Sequence, residues 1–330
     1  MQIAVVILNW NGKQLLEKFL PSVVKFSKEA TIYVIDNNSE DESATYLNGH
    51  YKNIKVIKNK ENFGFAKGYN VGLKSIDDEI YVLLNSDVEV TKNWLQPIIN
   101  IFENEPNTAI VQPKILDYKR KGFFEYAGAA GGFIDKFGYP FCRGRIFETI
   151  EKDYGQYNYE QQIFWASGAC FFIRKKVFDD LKGFDEDFFA HQEEIDLCWR
   201  AFNHNLDLKY CSKSAIYHVG GATLETSNPK KTFLNFRNSL FMLTKNIPKS
   251  QLFFILFSRM ILDGFAGIQF LIHGKFNHFL AILKAHFSFY VMFRKMYAKR
   301  DSQQRKDYFK TKSIVFKYFL KNGKVFDSSF

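Results

Sequence analysis

The sequence predicts an α/β fold. It is a mostly parallel, nucleotide-binding type of sheet (Rossmann-like), followed by a helical, basic extension. Three observations point there. Short apolar runs that end in polar residues alternate with stretches of helical apolar spacing. Hydrophobic residues make up 46% of the chain and aromatics 18%, which supplies a large core and excludes disorder. Charge is also divided. From Lys230 onward there are 19 Lys and Arg against 4 Asp and Glu, a balance of +15, leaving −5 of the net +10 for the rest. A length of 330 residues accommodates one large α/β unit plus an appendage. We place the division at 246, with the chemistry in 1–246 and the extension in 247–330.

Ile3–Leu8 is a β-branched and aliphatic strand, read as a strand and not as a secretion signal because no basic stretch precedes it. Asn9-Trp10-Asn11-Gly12 turns into a helix with apolar residues at Leu15, Leu16, Phe19, Leu20 and Val23. Ala30–Ile35 is a second strand ending in Asp36-Asn37-Asn38-Ser39, and Ile54–Lys58 a third. A glycine-marked loop, Asn62–Asn70, leads into a helix through Ile76. Tyr81-Val82-Leu83-Leu84 is a buried strand that ends in Asn85-Ser86-Asp87. Right-handed crossovers bring the polar ends of these strands to one edge of the sheet, where ligands bind in open α/β sheets. Trp94–Phe102 then reads as a helix and Ile110–Ile115 as a strand.

Gly122–Gly144 is rich in glycine and aromatics without a period, and is expected to be a functional or mobile loop. Phe164–Ile173 reads as a loop running into a strand. Its Gly168 can admit a ligand to the backbone, while Trp165 is either core or acceptor side. From about Glu193 the chain is helical, with Asp196 and Arg200 an i,i+4 pair. Ala215–Gly221 is a short strand that ends in His218 and two glycines.

Two acidic stretches invite chemistry. Asp87, at a strand end, either caps a following helix or holds a divalent cation against a phosphate. Glu193 and Glu194, at a helix start, either offset the helix dipole or project a general base into a cleft. His218 is either a hydrogen-bonded structural residue or a further metal ligand. There is neither a G-x-G-x-x-G after the first strand nor a G-x-x-x-x-G-K-[ST], which argues against dinucleotide dehydrogenases and P-loop enzymes. The cysteines Cys142, Cys170, Cys198 and Cys211 form no C-x-x-C pair, so a reducing cytosol is the expected compartment.

In the extension, Leu252–Ile272 is apolar but interrupted by Arg259 and Asp263, which makes a spanning helix costly. Phe276–Tyr297 mixes aromatics with Lys284, Arg294 and Lys295, and Lys299–Lys324 is strongly cationic. These features suit helices at an anionic membrane surface, or else a soluble helical subdomain. No nucleic-acid-binding motif accompanies them.

Taken together, I-L-N-W-N-G, V-I-D-N-N-S, E-N-F-G-F-A-K-G-Y-N, L-L-N-S-D, S-G-A-C-F-F-I-R, G-F-D-E-D-F-F, E-E-I-D-L-C-W-R and H-V-G-G resemble glycosyltransferase family 2, in particular its bacterial rhamnosyltransferase-like members. The resemblance runs from Ile3 to about Asn246. It implies the GT-A fold and an inverting transfer of rhamnose or another hexose from a nucleotide-sugar to a glycan or lipid-linked acceptor. That would occur in cell-surface polysaccharide synthesis, on the cytoplasmic face of the membrane. It further implies that Leu8, Asn9, Asp36, Lys67 and Asn85 line the nucleotide. By the same resemblance, Asp87 with Mg2+ or Mn2+ meets the diphosphate and His218 is a further metal ligand; Trp165 and Gly168 are expected toward the sugar and acceptor. Glu194, with Glu193 as the alternative, is implied as the base. Asn85 stands where the family's metal motif has a first Asp, and Glu194 where its acidic pair has Asp. A sugar-phosphate nucleotidyltransferase is the competing enzyme, but it should carry a Gly-rich, Arg-containing loop after the first strand. An inactive membrane-surface module is the non-enzymatic alternative.

Overall fold

A computed structural model describes residues 1–220 and 228–327. In chain order the strands are β1 (Ile3–Asn9), β2 (Thr31–Asp36), β3 (Lys55–Lys58), β4 (Ile80–Asn85), β5 (Val88–Val90), β6 (Thr108–Asp117), β7 (Gly132–Ile134), β8 (Pro140–Cys142), β9 (Arg145–Ile146), β10 (Thr149–Ile150), β11 (Gln161–Gln162), β12 (Cys170–Arg174) and β13 (Asp207–His218). The helices are α1 (Lys13–Phe26), α2 (Ser43–His50), α3 (Gly64–Leu73), α4 (Gln96–Asn104), α5 (Lys175–Asp180), α6 (Glu193–Asn203), α7 (Pro229–Asn246), α8 (Lys249–Ile272), α9 (Phe276–Ala298) and α10 (Ile314–Leu320).

The main sheet runs β11-β13-β6-β12-β4-β1-β2-β3, with β5 paired to the end of β13. β4, β1, β2 and β3 are parallel, as the alternation of strand and helix predicts. β12 enters antiparallel between β4 and β6, and β6 and β13 are parallel to each other. Both faces are covered. One layer packs Leu16, Leu20, Trp94 and Ile98 against Val5, Val34 and Val82, and the other packs Tyr69, Phe171 and Trp199 against Val6 and Leu83. Inside-facing residues therefore alternate between two cores, which is why these strands read as continuous apolar runs.

Two elements differ from the sequence expectation. Within Gly122–Gly144 and just beyond it, β7, β8, β9 and β10 build a small antiparallel sheet. Strands of two or three residues are too short to show a period. Asp87 is followed by β5 and not by a helix, so the helix-cap reading is corrected: α4 begins only at Gln96.

The C-terminal helices pack on the α/β unit. Leu252, Ile255, Phe289 and Met296 belong to the same buried cluster as Trp199 and Phe241. An ionic network reinforces this. Lys245 Nζ on α7 donates to Asp185 and Asp196 at 2.7 Å each, and Arg200 Nε donates to Asp196 at 2.9 Å. Asp196 also accepts from Asn246, so the predicted i,i+4 pair sits within a larger, fully hydrogen-bonded cluster.

Candidate active site at the carboxyl edge of the sheet

Strand register brings the polar strand ends together. Asn9 lies beside Asp36 across β1 and β2, and Leu8 beside Asn85 across β1 and β4. Asn9 and Asp36 are buried, and Leu8, Lys67 and Asn85 half-buried. Asp36 Oδ1 accepts from the Ser39 N–H at 3.2 Å. Asn9 Nδ2 donates to Ser39 Oγ at 3.2 Å, while its buried Oδ1 has no hydrogen-bond partner. A Cβ on Gly12 would fall 2.4 Å from that oxygen, so a larger residue there would displace the Asn9 amide. Lys67, on α3, stands over the Phe63 ring at 4.1 Å.

Asn37 is the organising residue that the sequence did not single out. Its Nδ2 donates to Asn62 Oδ1 (2.9 Å) and Gly64 O (3.1 Å), and its Oδ1 accepts from Asn59 Nδ2 (2.9 Å) and the Phe63 N–H (3.3 Å). One amide thus ties the ends of β2 and β3 to the start of α3. The run of asparagines was the available signal.

At the next strand end, Asp87 Oδ1 lies 3.1 Å from His218 Nε2, and Asn85 Nδ2 lies 3.4 Å from the same nitrogen. On the far side of the ring, His218 Nδ1 is 3.3 Å from Glu125 Oε1, an ion-pair distance without hydrogen-bond geometry. Burial would lower the His218 pKa, but the Glu125 and Asp87 carboxylates raise it to about 10. Burial likewise pushes the Asp87 carboxyl up. Contact with His218 and the backbone N–H groups of Asp87 and Gly220 outweigh it and hold the group below its usual range. Glu125 was missed from sequence, although it falls in the glycine- and aromatic-rich segment expected to be functional. Its second oxygen accepts from the Ala127 N–H. Burial lowers the Lys231 ammonium on α7, and the Glu125 carboxylate only partly offsets this.

The Asp87 end is linked to the acidic start of α6. The Asn85 N–H donates to Ala169 O at 3.0 Å. Gly168, next in the chain, lies against Glu194, whose Cγ and Cδ are 3.9 Å from where a Gly168 Cβ would stand. Glu194 Oε2 is buried without a partner, as is Glu193 Oε2. Burial raises the Glu194 carboxyl to about 7, against the backbone N–H groups of residues 194, 195 and 192. Glu193 is pushed higher by burial and by Glu194.

Backbone strain aims these carboxylates. Phe189, His191 and Gln192 have φ of 64°, 70° and 69°, which is costly for residues with a Cβ. The strain is held from α7: Asn238 Nδ2 donates to the carbonyls of Phe188, Ala190 and His191, and Gln192 Nε2 donates to Ser239 Oγ at 2.8 Å.

Trp165 is corrected to a core residue. It is buried, its Nε1 donates to Phe133 O at 2.8 Å, and its ring lies over Gly132. The structure therefore groups Leu8, Asn9, Asp36, Lys67, Asn85, Asp87, His218, Gly168 and Glu194 around one edge and leaves Trp165 behind it. Among the described residues, no group of three or more His, Cys, Asp and Glu forms a ready metal site.

Comparison with known proteins bears on the family and the fold. Residues 4–182, more than half of the chain, match the family described as Glycosyl transferase family 2. A low-salt glycan biosynthesis hexosyltransferase, Agl10 of Haloferax volcanii, is 24% identical over 72% of this chain and 73% of its own. An N-acetylglucosaminyl-diphospho-decaprenol L-rhamnosyltransferase of Mycobacterium tuberculosis is 23% identical over 59% of this chain and 68% of its own. Among solved structures, S. aureus TarS 1-349 in complex with UDP-GlcNAc superposes with a TM-score of 0.56 at 16% identity, covering 91% of this chain and 84% of that one. GalNAc-T7 with UDP, GalNAc and Mn2+ superposes with a TM-score of 0.58 at 17% identity, covering 76% of this chain and 48% of that one. These likenesses establish the fold as that of GT-A glycosyltransferases.

Proposed function

The chain belongs to glycosyltransferase family 2, and on that premise we propose that it is an inverting hexosyltransferase, rhamnosyltransferase-like, of cell-surface polysaccharide synthesis. It takes its sugar from a nucleotide-sugar and passes it to a hydroxyl of a glycan or lipid-linked acceptor. The observation that carries the reading is the continuous link from Asp87 and His218, through Asn85 and Ala169, to Gly168 and Glu194. A cation-and-phosphate end and a basic carboxylate are then joined along one edge of the sheet.

In this reading Leu8, Asn9, Asp36 and Lys67 hold the nucleotide, supported by the Asn37 network. The donor set suits a small divalent cation. Asp87 and His218 would hold it, once His218 gives up the proton that the neighbouring carboxylates retain on its ring. With two such donors and a neutral Asn85, the chain would leave room at the ion for the donor's diphosphate, as Mg2+ sites commonly do. The Glu125 carboxylate faces the other side of the His218 ring. When bound, Mg2+ or Mn2+ supplies positive charge to the diphosphate as the glycosidic bond breaks. Lys231 adds charge from α7.

Glu194 accepts the proton of the acceptor hydroxyl as its oxygen attacks the anomeric carbon opposite the diphosphate. A carboxyl raised to about 7 is matched to that task near neutral pH. Glu193, more deeply enclosed, is the alternative base. We place the catalytic unit in 1–246 and assign 247–330 to peripheral attachment at the inner face of the cell membrane, through the cationic tail. The test is a panel of nucleotide-sugars read by thermal shift with and without Mn2+, followed by transfer assays. A shift with one nucleotide class that grows with Mn2+ supports the reading. Indifference to every donor would remove it.

A further inference from the structure

Helix α8 is amphipathic in the inverted sense. Beyond Lys249 its only charged side chains are Arg259 and Asp263, and both are buried against the protein. Arg259 Nε donates to Asp263 Oδ1 at 2.8 Å, and its guanidinium lies 3.9 Å from the Tyr139 ring centre. Asp263 Oδ2 lies 3.2 Å from His286 Nε2 on α9. The opposite stripe, Phe253, Phe257, Ile261 and Phe265, faces outward, with Phe253 83% and Phe265 64% exposed. After the turn at residues 273–275, α9 exposes Phe287 and Val291. Phe253, Phe257 and Phe265 alone leave on the order of 400 Å² of apolar surface, as large as the greatest patch on an ordinary soluble monomer. A helix facing water would carry its charges outside and its phenylalanines inside.

The chemistry around this face selects its occupant. Lys275, Lys284 and Arg294 are exposed beside it, and Asp263, the one acidic residue of α8 and α9, is buried. Two copies packed face to face would oppose like charges, whereas anionic headgroups would neutralise them. α8 is long and apolar enough to cross a bilayer. Yet its midpoint is fastened to the α/β unit, where Arg259 Nη1 donates to Phe137 and Gly138 carbonyls. Lipid can reach only the outer stripe.

We propose that the α8–α9 hairpin lies in the plane of one leaflet of an anionic bilayer, its aromatic face among the acyl chains and its lysines at the headgroups, without crossing. This deepens the peripheral attachment proposed above, on which it rests, and it is independent of sugar transfer.

The test uses the whole chain and vesicles of phosphatidylcholine with and without phosphatidylglycerol. The native cysteines are free and buried, so Phe265→Cys accepts an environment-sensitive fluorophore at one site. The label should shift to the blue on phosphatidylglycerol vesicles, be quenched by nitroxides in the acyl chains, and stay so when salt is added after binding. Phe257→Asp with Phe265→Asp should lower flotation with vesicles at least tenfold while leaving the melting temperature unchanged. In a separate Lys275→Cys variant, the unlabelled thiol should remain open to an impermeant thiol reagent added on the protein's side. Flotation that salt reverses, with the 265 label still in water, refutes insertion and leaves peripheral attachment standing. No flotation at all refutes both. Reagent access to residue 275 only from the lumen means that α8 spans, and a dimer abolished by the Asp variants without vesicle binding means that a second copy covers the face. Either result overturns the proposal.

Discussion

Replacing Glu194 by Gln separates catalysis from stability at a single side chain. Burial raises the Glu194 carboxyl from 4.5 to about 7, a difference worth roughly 3 kcal/mol between its protonation states. The folded chain holds this proton more tightly than the unfolded chain does. The corresponding stability is therefore whole below about pH 4.5 and is lost as pH rises through about 7. Gln carries no such penalty. Wild type and Glu194→Gln should melt alike in acid, and at alkaline pH the variant should be more stable by up to about 3 kcal/mol, several degrees in Tm. Transfer should fall about 10²- to 10⁴-fold, the usual yield of a general base, with donor binding retained. Calorimetry across the pH range gives the first quantity, and nucleoside diphosphate release in the presence of acceptor gives the second. Parallel Tm profiles would refute the claim that the protein environment raises this carboxyl. Undiminished transfer would refute Glu194 as base and direct attention to Glu193.

Three further outcomes follow from the geometry. Asp87→Ala should abolish the Mn2+-dependent part of donor-induced thermal shift and cut transfer at least 100-fold while the fold survives; an unchanged Mn2+ response would take Asp87 out of the metal site. Lys245→Met leaves Asp185 and Asp196 buried without their shared cation, and should cost about 3–5 kcal/mol in urea unfolding. Burial pushes Asp185 up, but Lys245 and Lys299 hold it well below the usual carboxylate range. That contribution is present above about pH 4 and lost as pH falls further, so the variant should also shed much of the wild type's acid sensitivity. Trp165→Ala should destabilise by about 3–5 kcal/mol as a core truncation, with donor affinity in the surviving folded fraction unaltered.

The parallel part of the fold was legible because its strands are buried on both faces and each ends abruptly in polar residues. That punctuation brings Asn9, Asp36, Asn85 and Asp87 to one edge, while the roles expected of Asn9, Asp36 and Asn85 come from the family resemblance. Glu125 was not, because its partner His218 is far away in sequence and the segment that bears it has no period. The reach of Trp165 was misjudged for a related reason: a Trp beside a glycine reads the same whether its ring faces a ligand or lies over Gly132. The left-handed residues Phe189, His191 and Gln192 carry no local signature, since α7 imposes their conformation. In α8 the pairing of Arg259 with Asp263 was visible as a four-residue spacing, but its direction was not. Turned inward, the same pair that makes a spanning helix costly frees the outer face of charge.

The most direct measurement of the central claim is a crystal structure with an intact nucleotide-sugar and Mn2+. The diphosphate should lie at Asp87 and His218, with the anomeric carbon open toward Glu194. A donor seated elsewhere would contradict the account, for instance in the 540 Å³ cleft at the opposite sheet edge lined by Asn70, Lys74, Asp77 and Lys175.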